Sequence, residues 1–162
     1  MSKVQFKPAS EYLELAKKVF EEQKGRITQF LPYADVQHIG STSIPNSVTK
    51  GDLDLVIRVP RKEFKHAVEE LKSIYDINQP ENWSDTFTSF KKEKNLGIDF
   101  GAQLVVKDSK SDDFVELRDI LLENPELVEE LNTIKMKYDG KSMEDYRKEK
   151  ADFFQGLREK FL

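Results

Sequence analysis

A chain of 162 residues with no cysteine and only two histidines leaves no disulfides, no thiolate metal site and no cysteine nucleophile, and too few soft ligands for a structural zinc site. Charged residues make up 35% of the chain and the net charge is −4, a balance that argues against a dedicated nucleic-acid binder, whose affinity comes from clustered lysine and arginine. The length suits one domain spanning 1–162, long enough to bury a core without staples.

The N-terminal stretch MSKVQFKPASEY has no apolar core of signal-peptide length, and no run is long enough to span a bilayer, so the expected location is cytoplasmic and no membrane partner is expected. From Ser10, apolar residues at Tyr12, Leu13, Ala16, Val19, Phe20, Ile27 and Phe30 predict a helix that ends at Pro32. Asp35–Ile39 reads as a short strand running into a turn at Gly40-Ser41-Thr42-Ser43. Asp52 to Val59 alternates as a strand, closed by Pro60, and 61–75 reads as a helix with Phe64, Ala67, Val68 and Leu71 on one side.

Trp83 to Lys92 is a weaker strand candidate. Leu96 to Val106 is a better one, with Ile98, Phe100, Ala102 and Leu104 alternating against Asp99, Gly101 and Gln103. The remainder is helical. Ser111 is placed to cap a helix through Leu122, Asn124-Pro125 restarts a second, and Ser142 opens a third with Tyr146, Phe153, Leu157 and Phe161 on one face. A sheet-containing core over about 10–107 and a helical tail over about 111–161 define the expected α+β class: a mixed β-sheet packed with helices.

The chemistry concentrates between His38 and Leu55. Residues two apart on a strand share a face, so Asp52 and Asp54 present two carboxylates side by side while Leu53 and Leu55 turn away. Such a pair repels unless a cation lies between, and Mg2+ or Mn2+ shared with phosphate oxygens is an ordinary solution. Gly40 permits close backbone approach to a phosphate, with Ser41 and Thr42 as donors. A Gly-Ser turn after one strand and a carboxylate pair on the next, ten residues on, is the skeleton of the nucleotidyltransferase site. There the turn holds the triphosphate and the carboxylates hold metal for in-line displacement at the α-phosphorus. Asp99 is the candidate third carboxylate, as metal ligand or base.

Lys50 adjoins the pair. Lys150 lies on the apolar stripe of the last helix and Arg118 among Phe114, Leu117 and Leu121, so both are candidates for phosphate binding. The plainer accounts remain open. Asp and Glu supply 30 of 162 residues, so an Asp-x-Asp arises by chance. A Gly-Ser pair is an everyday turn, and long cationic side chains lay their stems over cores with their heads in water. His38 is read as a hydrogen-bonding neighbour of the turn, with a base role as the alternative. Trp83 is read as core, with stacking on a base as the alternative.

The run His38-Ile39-Gly40-Ser41-Thr42-Ser43-Ile44-Pro45, followed by Lys50 and Asp54, resembles the opening signature of the GrpB family. Leu117-Arg118-Asp119-Ile120-Leu121, then Asn124-Pro125-Glu126-Leu127, then Tyr138, Tyr146 and Lys150, resemble its closing pattern, so the likeness runs from about residue 10 to 160. It implies the nucleotidyltransferase superfamily fold; in some bacteria a similar domain is fused to a dephospho-coenzyme A kinase. Two departures stand out. The family has a single aspartate where this chain has Asp52 and Asp54, and a His-x-His pattern where this chain has Gly101-Ala102-Gln103. The expected ligand is a nucleoside triphosphate or another phosphorylated small molecule, either for nucleotidyl transfer or for binding by a non-catalytic module.

Overall fold

The computed structural model describes residues 3–92 and 96–162. A two-residue strand β1 (Lys7–Pro8) and a 3-10 turn lead into α1 (Leu13–Phe30). β2 (Asp35–Ile39) ends in a 3-10 turn at Ser41–Ser43, followed by β3 (Val48–Thr49) and β4 (Asp52–Val59). Then come α2 (Phe64–Lys72), β5 (Asp76–Ile77), β6 (Phe87–Lys92) and β7 (Asp99–Val106). The chain closes with α3 (Phe114–Glu123), α4 (Pro125–Lys137) and α5 (Met143–Phe161).

The main sheet has the order β2-β4-β7-β6-β5, with β4 and β7 parallel and every other neighbour antiparallel, so the fold is α+β with a mixed sheet. Period-2 alternation explains β4. Leu53, Leu55, Ile57 and Val59 are fully buried in the core that α1 and α2 cover, each contributing roughly 1.5–3 kcal/mol by burial. α1 adds Ala16, Val19, Phe20 and Ile27 to that core. The polar Gln23 is buried with them because its side-chain oxygen accepts a hydrogen bond from the Tyr75 hydroxyl at 2.6 Å.

The second face of the sheet is covered only in part. Ile39, Val56 and Val105 pack under Phe114 and Val115 of α3. Beyond Val56, toward the start of β4, that cover ends and Asp54 and Asp52 follow on the same face. At the other end of β4, Arg58 ties the loop before α3 to the sheet: its Nε and Nη2 donate to the two oxygens of Asp112 (2.7 and 2.8 Å) and its Nη1 to Asp35 (2.7 Å). The three final helices enclose their own core of Leu117, Leu121, Val128, Leu131 and Leu157, into which Ile44 from the turn after Gly40 is inserted. Asn132 of α4 grips the same segment, accepting from Val48 N–H (3.0 Å) and donating to the Asn46 carbonyl (2.8 Å). Among the described residues no helix is long and apolar enough to cross a membrane.

Several boundaries differ from the sequence reading, each for a local reason. The first helix starts at Leu13, after a 3-10 turn at Ala9–Glu11. The second is shorter, because residues 61–63 form a 3-10 turn and the chain leaves the helix after Lys72. The Trp83 strand begins only at Phe87: a 3-10 turn at Pro80–Asn82 and the bond from Ser84 N–H to the Phe87 carbonyl occupy the residues before it. The next strand begins at Asp99, after a bend with Gly97 at φ 77°. Ser111 does not cap α3; its hydroxyl pairs with that of Thr86 at 2.9 Å. Asn124 stands at the N-terminus of α4, yet its side chain turns back and donates to the Ile120 carbonyl (2.7 Å), closing α3. Phe161 is 40% exposed and not part of the last helix's buried face.

Candidate functional site

The open end of β4 shapes the site. Asp54 lies opposite Ile39 on one side and Gly101 on the other, and Asp52 lies opposite Asp99. Asp54 occupies the space that side chains at its glycine neighbours would take. A Cβ at Gly40 would stand 2.8 Å from Asp54 Oδ2, and one at Gly101 would stand 2.7 Å from Oδ1. Gly40 is also needed for its backbone, at φ 77°. Asp54 accepts no hydrogen bond among the described residues. Burial, and next the charge of Asp52, push its carboxyl up to about 7, partly offset by Lys150 and Lys50.

Two spaces open from this pair. A narrow chamber of about 90 Å³ reaches inward between the Gly40–Ser41 turn and the last three helices. A wide groove of about 670 Å³ runs along the sheet past Asp99 and Gly101 to Asn78 and Gln79. Lys50, Asp52 and Asp54 line both. Lys50 Nζ stands 3.9 Å from Asp52 Oδ2.

Each of the last three helices delivers one cation to the narrow chamber: Arg118 from α3, Lys135 from α4 and Lys150 from α5. Arg118 is anchored, donating through Nη1 to the His38 carbonyl (3.0 Å) and through Nε and Nη2 to Asp119. Lys150 Nζ lies over the ring of Tyr146, 5.7 Å from its centroid. Lys135 is only 4% exposed and donates to the Val48 carbonyl at 2.8 Å. Burial, then the nearby Lys150, pull its ammonium down to about 7. Tyr146 forms part of the wall, its hydroxyl held well above the ordinary tyrosine range by burial and then by Asp52 and Asp54.

Of the residues singled out from the sequence, Gly40, Ser41, Lys50, Asp52, Asp54, Arg118 and Lys150 converge on one chamber. Thr42 stands behind it, buried, its hydroxyl 2.9 Å from His38 Nε2. The Ser41 hydroxyl donates to Thr49 Oγ1 at 2.7 Å. His38 stacks on Phe20 with centroids 5.3 Å apart. Burial, and next Arg118, lower its imidazole to about 4, so it is neutral at pH 7. Asp99 is exposed and lines the wide groove only. Among the described residues no three histidine, cysteine or acidic side chains stand together as a metal cage. Trp83 packs against Phe90, its indole donating to the Asn78 carbonyl at 3.1 Å.

The donor set nonetheless suits a hard divalent cation. Two carboxylates on one strand face, one of them without a hydrogen-bond donor, are the protein's usual share of a magnesium shell completed by phosphate and water.

Sequence reasoning missed Lys135, though the signal was present: it follows Val128 and Leu131 on the buried stripe of α4, the same logic that exposes Lys150. It also missed the N-terminal strap. Val4 and Phe6 pack on Tyr146, held by bonds from Gly140 N–H to the Val4 carbonyl (2.6 Å) and from Phe6 N–H to Asp139 (2.8 Å). Phe6 thereby walls the narrow chamber, and Lys3 and Gln5 the wide groove.

Similar proteins share this framework. A UPF0157 protein of Vibrio cholerae is 36% identical over 152 residues, covering 94% of this chain and 80% of its own length. The crystal structure of the conserved protein GrpB from Enterococcus faecalis superposes with a TM-score of 0.70 at 22% identity, covering 91% of this chain and 95% of that one. The Cid1 poly(U) polymerase, in a MgGTP-bound structure, superposes with a TM-score of 0.56 at 13% identity over 80% of this chain. The chain spans only 42% of that polymerase, and the likeness is one of nucleotidyltransferase-type fold. The family model described as GrpB protein matches residues 10–160, and the chain belongs to that family.

Proposed function

We propose that this site binds the polyphosphate of a nucleoside triphosphate with Mg2+ (or Mn2+) and transfers the nucleotidyl group to an acceptor. The observation that carries the reading is the meeting of one carboxylate pair, Asp52 and Asp54, with four cationic side chains, Lys50, Arg118, Lys135 and Lys150, around a single small chamber. The chamber's size admits phosphate groups and excludes a nucleoside, since pockets for whole small molecules run to roughly 300–1,000 Å³. The nucleoside would lie in the wide groove and its phosphates would point inward past Asp52 and Asp54.

Asp52 and Asp54 would hold the cation, which when bound neutralises phosphate charge and fixes the phosphates for attack. Gly40 and Ser41 would bring the backbone against the phosphates, while Thr42 and His38 brace the turn from behind. Lys135 and Lys150 would stabilise charge on the departing pyrophosphate in a poorly hydrated space, where such interactions are strongest. Arg118 would add charge while keeping the turn in place through the His38 carbonyl. A cytoplasmic setting, supplied with nucleoside triphosphates and magnesium, goes with this reading.

The exposure of Asp99, which among the described residues completes no three-acid metal cage with Asp52 and Asp54, favours a second reading: a module that binds a phosphorylated metabolite without turnover. Incubating the protein with magnesium and each α-labelled nucleoside triphosphate separates the two. Nucleotidyl transfer is expected from the native chain and not from Asp54→Asn. Turnover retained in that variant overturns the role given to Asp54, and binding without turnover favours the module.

A further inference from the structure

The wide groove is where the nucleoside would lie, and its polar groups bear on which nucleoside that is. Among the described residues, four cationic side chains line it against Asp52, Asp54 and Asp99, so its charges nearly cancel. Discrimination between bases therefore falls to uncharged groups. Asn78 and Gln103 line the groove, and neither side chain makes a hydrogen bond among the described residues. The two belong to one row across the sheet. Gln103 of β7 stands opposite Ser89 of β6, and the Asn78 N–H donates to the Ser89 carbonyl at 3.0 Å. Two strand spacings separate them, roughly 10 Å, a gap that admits the edge of one base. Ser89 between them is buried, its hydroxyl already donated to the Asn78 carbonyl at 2.7 Å. That carbonyl also accepts from the Trp83 indole at 3.1 Å. The next residue, Gln79, holds a left-handed φ of 46°, a conformation uncommon outside glycine. The backbone of Asn78 is thus fixed on three hydrogen bonds while its side-chain amide stays unspent.

We infer that Asn78 and Gln103 are specificity-determining residues that grip an adenine ring from both sides of its amino group, making ATP the nucleotide of this site. The inference rests on the reading of the site given above and names its nucleotide. Each amide offers one acceptor oxygen beside one donor NH2. An adenine amino group has two hydrogens and stands between two ring nitrogens, so each side of it presents a donor beside an acceptor and pairs with one amide on two hydrogen bonds. No other common base satisfies both amides. Guanine presents two acceptors on one side of its carbonyl, which leaves the oxygen of the second amide without a donor. Cytosine and uracil present a carbon-bound hydrogen there, which leaves the second amide without a partner. An amide left unpaired in a partly buried groove weakens binding.

Isothermal titration of the whole chain in magnesium tests this with ATP, GTP, CTP, UTP and inorganic tripolyphosphate. ATP should bind about tenfold or more tighter than each of the other nucleotides, the discrimination that one bidentate amide pairing supplies. A 7-deaza-ATP probe, in which carbon replaces one of the two ring nitrogens, should lose a similar factor. Gln103→Leu and Asn78→Leu should each erase most of the preference for ATP and leave tripolyphosphate binding unchanged, which also shows that the variants fold. The 7-deaza comparison on the native chain needs no variant and stands if either fails to fold. Equal binding of the nucleotides, preference for another base, indifference to the 7-deaza change, or a preference that survives both substitutions overturns the inference. Absence of tripolyphosphate binding would instead defeat the reading of the narrow chamber, and adenosine titrated against guanosine, cytidine and uridine would still decide the groove.

Discussion

Asp54 and Gly101 face each other across the parallel pair β4 and β7, and the Asp54 carboxylate fills the space a side chain at 101 would need. Gly101→Ala therefore places a methyl 2.7 Å from Oδ1, and the carboxylate, a mobile side-chain end, must swing aside. The expected result is a modest stability loss of about 1–2 kcal/mol with metal-dependent nucleotide binding lost. Combining it with Asp54→Gly should recover the stability and not the binding. A full additive loss in the double variant would mean the two positions do not compete for space.

The pH dependence of stability should carry the mark of Asp54. Its folded pKa, about 7, is raised above the ordinary carboxylate value of 3.8, so the native state binds more protons than the unfolded chain between those limits. Stability then falls as pH rises through that window. Asp54→Asn should change little at pH 3.5 and stabilise the ligand-free protein at pH 8, by on the order of 1–3 kcal/mol. Denaturant midpoints at the two pH values measure this, and a variant that is destabilised at pH 8 would contradict it.

Lys135 has the opposite sign convention and the same origin. Its folded pKa, about 7, lies below the lysine value of 10.5, so burial penalises folding most below pH 7 and the penalty fades as pH rises toward 10.5. Lys135→Met should accordingly be better tolerated at pH 6 than at pH 9, where the native lysine is neutral and still hydrogen-bonds the Val48 carbonyl. Its effect on ligand should run the other way from its mild effect on fold: pyrophosphate affinity at pH 7 should drop at least tenfold, about 1.4 kcal/mol. Native-like affinity would remove Lys135 from the phosphate set.

His38 should behave as a structural imidazole. Half-buried against Phe20 and hydrogen-bonded to Thr42, with its pKa lowered to about 4, its ring resonances should stay fixed from pH 8 to pH 5.5. Its contribution to stability is full above pH 6.5 and lost as pH falls toward 4. A midpoint between pH 6 and 7 in an NMR titration would instead make it available as a base.

Much of the fold is legible in the sequence where a single face is buried. Asp52–Val59 emerges with the boundaries its alternation gives, because every second side chain enters one core, and Asp35–Ile39 also keeps the bounds read from the sequence. Elements fixed by hydrogen bonds between distant residues are not legible. The pairing of Lys7–Pro8 with Val48–Thr49 is two residues long and has no pattern, and the Asn124 side chain chooses a carbonyl behind it over amides ahead. The same divide runs through the site. Asp52 and Asp54 follow from strand periodicity, whereas the exposure of Asp99 and the burial of Lys135 depend on how helices seat on the sheet.

The site also divides its charges by layer: both acids come from one strand, and three of the four chamber cations come one each from α3, α4 and α5. Before the helices dock, the strand carries two like charges with only Lys50 beside them. Docking completes the balance, so the seam between sheet and helices is where a polyanion gains its hold. A bound phosphate ligand should therefore act as a clasp on that seam, slowing amide exchange in the last three helices more than in α1 and α2.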